Sequence, residues 1–304
     1  MPESTSLTYA LDIGTREIAG IALEKSGQKQ RIVGCQLAHQ EPGAMKDGQI
    51  HDINKVAATI ESVTKDLKKQ VGDLPQEVAV AAAGRTLRTF LGTAGHTISP
   101  MQPIDELTVH ALEMQAVLKA RERLSEEFRQ NSQERSWASQ YIFVAYSPMV
   151  YHLDDEPISN LVGHRGTKIG VEVIVTFLPR IVIDGLSASL KAANLQMGSL
   201  TLEPIAAIEV AIPPSMRHLH LALVDVGAGT SDIALTKDGV VFAYGMVDIA
   251  GDEVTNALCE HFLLDFTEGE LLKQQFQKRQ RLIVRNVLGQ QVMPNPRTVE
   301  ELME

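Results

Sequence analysis

Cysteine and tryptophan are scarce in this chain of 304 residues, which contains two cysteines and one tryptophan. Cys35 and Cys259 lack the paired spacing of a zinc site, and each is surrounded in the sequence by apolar residues. We interpret them as buried, reduced thiols, which are typical of proteins from a reducing cytoplasm. The nine histidines are scattered without ligand spacing, so we do not expect a histidine metal centre.

Basic charge is also scarce, since 28 lysines and arginines stand against 38 acidic residues and give a net charge of −10. A nucleic-acid-binding domain needs a basic face, and electrostatic attachment to anionic lipid needs clustered basic residues. No apolar run approaches the roughly 18 residues of a membrane-spanning helix. The first residues lack the basic and apolar regions of a secretory signal peptide. We therefore expect a cytoplasmic protein that binds no nucleic acid and carries no visible membrane-targeting segment.

What the sequence does contain is a pair of matching glycine-rich turns, each between two apolar, strand-like segments. The first turn covers residues 12–16, Asp-Ile-Gly-Thr-Arg, and the second covers residues 225–230, Asp-Val-Gly-Ala-Gly-Thr. Glycine lets the backbone approach a ligand closely, and successive N–H groups in such a turn bind anions. An aspartate beside an anion site indicates an intervening cation, and Mg²⁺ prefers carboxylate and phosphate oxygens with water. We predict that the two hairpins face each other and hold one nucleotide phosphate tail with Mg²⁺.

Hydrophobic spacing around the first turn predicts an α/β domain. A strand over residues 31–37 is followed by a helix capped by Asp52, and then by a strand over residues 77–83. The pattern returns with a strand over residues 171–178 and a helix over 181–193. A further helix begins at Glu203, with proline at its first position, and the Pro213-Pro214 pair ends this part.

Between these two parts the sequence changes character. It predicts a long charged helix over residues 105–130, with its apolar stripe formed by Leu107, Ala111, Met114 and Leu118. Short strands are predicted over residues 140–146 and 151–153. We interpret residues 85–169 as an inserted α+β subdomain, residues 1–84 and 170–215 as a first lobe, and residues 218–304 as a second, incomplete lobe.

These motifs, in this order, resemble the superfamily of actin, heat-shock chaperones and sugar kinases. The two turns resemble its phosphate segments, and residues 202–207 resemble the connecting segment before the second turn. Within the superfamily the resemblance is strongest to the bacterial cell-division actin homologue FtsA, through the insertion after residues 82–84 and through segments 160–163 and 248–255. The resemblance implies an α/β, actin-like two-lobed ATPase fold whose insertion is an FtsA-type SHS2 subdomain.

The resemblance also implies roles for matching residues. Asp12 and Asp225 would hold Mg²⁺ mostly through water, and Glu203 would orient the attacking water, which makes the protein at most a slow ATPase. The predicted phosphate and nucleoside contacts come from both turns and from the two helices after the second turn. These are Gly14, Thr15, Arg16, Gly227, Ala228, Gly229, Thr230, Gly251, Asp252, Glu270 and Lys273.

Several of these residues have plainer structural readings. Either aspartate can bond its own turn, and Glu203 can favour a helix N-terminus by its charge. Thr267 and Glu270 have the spacing of a capping box, which would make Glu270 a helix cap and not a ribose contact. Lys273 can be a solvated side chain, and Arg16 can either reach a phosphate or lie on the surface. The family's Gly-Gly adenosine motif and its C-terminal amphipathic helix are both missing from this sequence.

The expected function is that of an FtsA-like protein of bacterial cell division that binds ATP and Mg²⁺. It would link an FtsZ-like ring to other components as a nucleotide-dependent adaptor or polymer, at the division site on the inner face of the membrane. Its partners would be FtsZ and copies of itself. Two alternatives stay open: an adaptor like PilM of type IV pilus assembly, and an actin-fold scaffold that binds no nucleotide.

Overall fold

The computed structural model describes residues 6–26, 29–46, 48–82, 87–130, 140–216, 219–237, 240–276 and 282–303. The chain forms two compact units. The first unit comprises Met1–Asp225 and Asp232–Met246, and the second comprises Val226–Ser231 and Val247–Glu304. The predicted three-part division stays a prediction: its boundaries at residues 84–85 and 215–218 lie wholly or partly outside the described residues, and the third, at residues 169–170, falls within the strand Lys168–Pro179.

The first unit contains a long series of strands and helices. It begins with β1 (Ser6–Ile13), β2 (Glu17–Ser26), β3 (Lys29–His39), β4 (Met45–Lys46), β5 (Gln49–Ile50), α1 (Ile53–Val71) and β6 (Glu77–Ala82). It continues with β7 (Arg88–Thr97), α2 (Glu106–Gln130), β8 (Tyr141–Leu153), β9 (Glu156–Ile158) and β10 (Lys168–Pro179). It ends with α3 (Arg180–Ala192), β11 (Gln196–Leu202), α4 (Glu203–Ala211), β12 (Leu221–Val226), β13 (Ser231–Lys237) and β14 (Val240–Val247). One terminal residue of each of the last three strands, namely Val226, Ser231 and Val247, belongs to the second unit.

A five-stranded sheet in the order β11-β6-β1-β2-β3 forms the centre of the first unit. Strands β1, β6 and β11 are parallel to one another, and β2 and β3 continue the sheet as antiparallel neighbours. Helix α1 packs on this sheet through fully buried residues at helical spacing, and the predicted cap is confirmed, since Asp52 accepts hydrogen bonds from the backbone of Asn54 and Lys55. A Cβ on Gly20 would lie 2.5 Å from Cγ1 of Val63, so glycine permits this close helix–sheet approach.

The antiparallel sheet β7-β10-β8-β9 is covered by α2. The predicted apolar stripe of this helix was wrong for three of its four residues, because Leu107 is 79% exposed, Leu118 is 58% exposed and Ala111 also faces solvent. The fourth, Met114, packs partly against the core. The buried side is a second apolar stripe formed by Val109, Leu112, Ala116, Val117, Ala120, Leu124 and Phe128. Close approach selects this side: a Cβ on Gly92 of β7 would lie 2.0 Å from the carbonyl oxygen of Ala116.

Strand β8 also differs from the prediction, which placed two short strands on either side of Pro148. The structure has one strand of 13 residues. The pairing with β10 shifts register between Glu172 and Val173, whose partners are Val150 and Pro148. A bulge at this point accommodates a proline that cannot donate a ladder hydrogen bond.

The strands β12, β13 and β14 form a three-stranded sheet next to α4. Ile208 and Ile212 of α4 are buried together with Ala234 of β13 and Tyr244 of β14. Proline at the start of α4 is confirmed. This contact fixes β12 and β13, which carry two of the acidic residues described below.

The second unit contains α5 (Gly251–Phe262), α6 (Phe266–Phe276), β15 (Val284–Arg285), β16 (Gln291–Val292) and α7 (Pro296–Met303) around a small apolar core. Helices α5 and α6 lie close together, since a Cβ on Gly269 would be 2.4 Å from Sγ of Cys259. Cys259 is half-buried and Cys35 is exposed, so the prediction of two buried thiols was wrong. None of the described helices is long and apolar enough to cross a membrane.

The orientation of α2 can be tested with two leucines of the same helix. Leu112→Ala is expected to lower the free energy of unfolding by about 2–5 kcal/mol, because it leaves a cavity in a closed core. Leu118→Ala is expected to change it by less than about 0.5 kcal/mol, because the side chain is mostly in solvent. Urea unfolding followed by circular dichroism measures both. A larger loss of unfolding free energy from Leu118→Ala than from Leu112→Ala would contradict the observed orientation and support the predicted stripe.

Candidate functional site

The two glycine-rich turns have the same local geometry. In the first unit, the N–H of Gly14 donates to the carbonyl of Glu17 over 3.1 Å, and in the second unit the N–H of Gly227 donates to the carbonyl of Thr230 over 2.9 Å. A Cβ on either glycine would lie 3.2 Å from the oxygen that it faces. This spacing is tighter than ordinary contact, so both turns favour glycine for the same steric reason.

A loop before α1 supports the first turn. The side chain of Gln40 donates to the carbonyl of Gly14 over 2.6 Å, and its backbone N–H donates to the carbonyl of Arg16 over 2.8 Å. The hydroxyl of Thr15 accepts a hydrogen bond of 3.1 Å from the N–H of Gly48. Gln40, which the sequence analysis missed, is therefore part of the site, and only its position after an edge strand could have indicated it.

The N-terminus of α5 supports the second turn. The N–H groups of Gly251 and Asp252 donate to the carbonyls of Gly227 and Ala228 over 3.1 and 2.8 Å. Two of the free donors that begin any helix are used here to hold the turn. Gly251 and Asp252 were predicted to contact the nucleotide; the structure places their backbone against the turn, and their contact with a ligand stays a prediction.

Acidic side chains from four strands and helices of the first unit act on one another. Burial, followed by the charges of Asp225 and Glu17, raises the pKa of Asp12. Asp12 lies at the end of β1 and keeps contact with solvent, but the protein around it removes part of its hydration. The structure thus brings Asp12 and Asp225, which are far apart in sequence, within range of each other's charge.

Glu203 is the most perturbed member of this carboxylate cluster, which consists of Asp12, Glu203, Asp225 and Asp232. Burial raises the pKa of Glu203 to about 9, with smaller contributions from Asp12, Asp232 and Asp225. Its Oε1 atom is buried and has no hydrogen-bond partner among the described residues. Glu203 is thus protonated at neutral pH. A helix start on its own does not require a burial this costly, so the plainer reading is incomplete.

Asp232 was not singled out from the sequence, although it ends the second glycine-rich motif. It is 2% exposed on β13, where alternation would place an apolar side chain. An acidic residue at a strand position that alternation predicts to be buried was the sequence signal that could have identified Asp232.

The cluster suits a cation bound mainly through water. Among the described residues, no three histidine, cysteine, aspartate or glutamate side chains are close enough together to form a direct metal centre. Mg²⁺ commonly keeps several waters and takes one or two carboxylates with substrate phosphates. The donor chemistry therefore fits Mg²⁺ accompanied by a phosphate ligand, and it does not fit a metal held by protein ligands alone.

Glu270 and Lys273 form a closed network in the second unit. The ammonium of Lys273 lies 2.7 Å from Oε2 of Glu270, and the hydroxyl of Thr255 bonds the same oxygen over 2.6 Å. The capping-box reading of Glu270 was wrong, because the side chain of Asp265 accepts the hydrogen bond from the backbone of Glu268 at the start of α6. Burial alone would raise the pKa of Glu270, but hydrogen bonds from Lys273, Thr255 and Gln274 lower it.

The raised pKa of Glu203 predicts a pH-dependent stability. The folded chain binds this proton more tightly than the unfolded chain, whose ordinary value is 4.5, so the stability from Glu203 is lost as the pH rises towards about 9. Glu203→Gln stays neutral and is expected to be more stable than the wild type at about pH 9, with the difference vanishing near pH 5. Urea midpoints across this range measure it.

The control is Glu61→Gln, which changes an exposed acid of α1 and is expected to leave the pH dependence of the wild type unchanged. Parallel profiles for Glu203→Gln and the wild type would contradict the raised pKa.

The chain is similar to curated proteins of one name. Cell division protein FtsA of Pseudomonas aeruginosa is 23% identical over 259 residues, which cover 84% of this chain and 57% of the relative. Cell division protein FtsA of Bacillus subtilis is 21% identical over 273 residues, covering 90% and 58%. The chain thus spans a little over half the length of these relatives. No protein-family model matches it.

Among solved structures, the chain is similar to one described as the PilM–PilN type IV pilus biogenesis complex. The TM-score is 0.62 at 16% sequence identity, and the match covers 91% of this chain and 71% of that one. A likeness of this kind concerns the fold. Together with the two matched turns, it confirms the predicted architecture: the chain has the actin-like ATPase fold.

Proposed function

We propose that the chain binds ATP with Mg²⁺ and serves as an FtsA-like adaptor in bacterial cell division. The observation that carries the proposal is the cluster of Asp12, Glu203 and Asp225 beside a glycine turn in the first unit. Burial and the neighbouring carboxylate charges raise the pKa of Asp12 and of Glu203, and a divalent cation with a phosphate ligand would offset this repulsion.

The residues divide into two roles. Asp12 and Asp225 would hold the hydration shell of Mg²⁺, and Thr15 would bind phosphate oxygens from the turn that Gly14 closes through its hydrogen bond to Glu17. In the second unit, the turn at residues 227–230 has the matching geometry, and we propose that it also binds phosphate oxygens. When bound, Mg²⁺ neutralises phosphate charge and organises water.

Turnover is at most slow. Glu203, at the start of α4, is the candidate among the described residues for orienting a water molecule, and we expect a single positioning carboxyl to support slow turnover at most. The protein therefore works mainly as a nucleotide-dependent binding module.

The adaptor role is supported by the FtsA relatives at 20–24% identity. An FtsZ-like protein and further copies of this chain are the proposed partners, at the cytoplasmic face of the division site. The similarity to a pilus biogenesis complex keeps the second function, an adaptor of type IV pilus assembly, in view.

Nucleotide binding is tested by isothermal titration calorimetry with Mg²⁺–ATP. Asp225→Ala is expected to weaken binding about tenfold or more, because a charged contact to the hydrated cation contributes roughly 1.5–3 kcal/mol. Asp184→Ala, which removes an exposed acid of α3, is the matched control and should bind like the wild type. Equal affinities for the wild type and Asp225→Ala would contradict the site.

The partner is tested by co-purification of the tagged full chain from its own cells. Division proteins, with an FtsZ-like protein foremost, are expected in the eluate, and their amount should fall for Asp225→Ala. Recovery of pilus proteins without an FtsZ-like protein would replace the division role with the pilus role.

A further inference from the structure

We propose that Thr255 and Lys273 are positioning residues that hold the second glycine turn in its phosphate-binding conformation, and that they do not contact the nucleoside. The inference rests on the proposed function and changes the roles implied by the FtsA resemblance, which assigned Lys273 and Glu270 to the ribose and adenine.

Thr255 lies at the centre of the network and is out of reach of any ligand. Its side chain on α5 is 0% exposed. Its hydroxyl donates to Oε2 of Glu270 over 2.6 Å and accepts from the ammonium of Lys273 over 2.7 Å. A hydroxyl has one proton and two lone pairs, so these two partners occupy its proton and one of its lone pairs.

Lys273 has three ammonium protons and three acceptors within the unit. They are the carbonyl of Gly251 at 2.8 Å, the hydroxyl of Thr255 at 2.7 Å and Oε2 of Glu270 at 2.7 Å. All three donors of the ammonium are therefore satisfied by the protein. Breaking this arrangement to bind a ribose hydroxyl would exchange a charged contact for a neutral one, which is unfavourable.

The carbonyl that Lys273 holds belongs to the residue that supports the turn. Gly251 donates its N–H to Gly227, and the next residue, Asp252, donates to Ala228. A Cβ on Gly251 would lie 3.3 Å from the carbonyl oxygen of Gly227 and 3.4 Å from Nζ of Lys273. Lys273 therefore holds the carbonyl of the Gly251–Asp252 peptide unit, and the N–H of the same unit bonds the turn at Ala228.

Helix α6 is held rigidly enough to act as the anchor. Gly269 lets it approach α5 closely, and Leu272 and Phe276 fill the apolar core of the unit on either side of Lys273. Thr255 and Lys273 thus connect a packed helix to the turn through three hydrogen bonds. Loss of either group releases the turn and lowers affinity for the phosphates, whichever nucleoside they carry.

The test compares Thr255→Val with Thr255→Ser by calorimetry against Mg²⁺–ATP and Mg²⁺–tripolyphosphate. Valine keeps the shape and the charge of the network but removes the hydroxyl, and serine restores it. Thr255→Val is expected to weaken both ligands by the same factor, about tenfold, since a hydrogen bond to a charged group is lost. Thr255→Ser is expected to stay within about twofold of the wild type.

Glu270→Gln is a second variant, and the direction in which it changes tripolyphosphate affinity is informative even if Thr255→Val fails to fold, as judged by its melting temperature. Removing a negative charge would by simple electrostatics strengthen tripolyphosphate binding. If the network positions the turn, the variant instead weakens it, because Lys273 loses its charged partner.

Four outcomes would overturn the inference. Unchanged affinity in Thr255→Val, or stronger tripolyphosphate binding in Glu270→Gln, would show that the turn does not depend on the network. Loss of ATP affinity with unchanged tripolyphosphate affinity would return Lys273 to the nucleoside. A wild type that binds neither ligand would overturn the proposed function itself, and this inference with it.

Discussion

Mutual repulsion among partly desolvated carboxylates is the constraint on which the first unit depends. Asp12, Glu203 and Asp225 come from three separate parts of the chain, and burial of Glu203, with partial desolvation of Asp12, raises the pKa of both groups. The fold tolerates this because Glu203 takes up a proton in the absence of a cation. In the proposed function the same arrangement would favour a divalent ion with its phosphate ligand, so the structural cost and the proposed site have one origin.

In the second unit, by contrast, the partly buried charge is positive. The partly buried ammonium of Lys273 is satisfied by Gly251, Thr255 and Glu270. The two turns consequently share a geometry but not a support: an amide side chain, Gln40, holds the first, whereas a helix N-terminus and a lysine hold the second. A fold shared with many proteins does not determine what each of them does, so the function has to be argued from such local differences and not from the fold.

Helix α2 shows what the hydrophobic periodicity of a sequence can predict and what it cannot. The helix itself was predicted within a residue of its start, because 3.6-residue periodicity is a local property. Its buried side was mistaken, because the sequence carries two apolar stripes and only the fit of Ala116 against Gly92 decides between them. Leu107 and Leu118, which belong to the stripe that packing did not bury, are exposed on the outer face of the helix.

The sequence alone determined the two Asp-x-Gly turns and the Asp52 cap of α1, because short-range hydrogen bonds and glycine sterics depend on adjacent residues. The actin-like ATPase fold was expected from the resemblance of these motifs, in their order, to a known superfamily. Tertiary structure alone decided that Glu203 is buried beside Asp12, Asp225 and Asp232, and that Glu270 bonds Thr255 and not its own helix end. Desolvation and charge coupling join groups that are distant along the chain, so no local pattern can report them before the chain is folded.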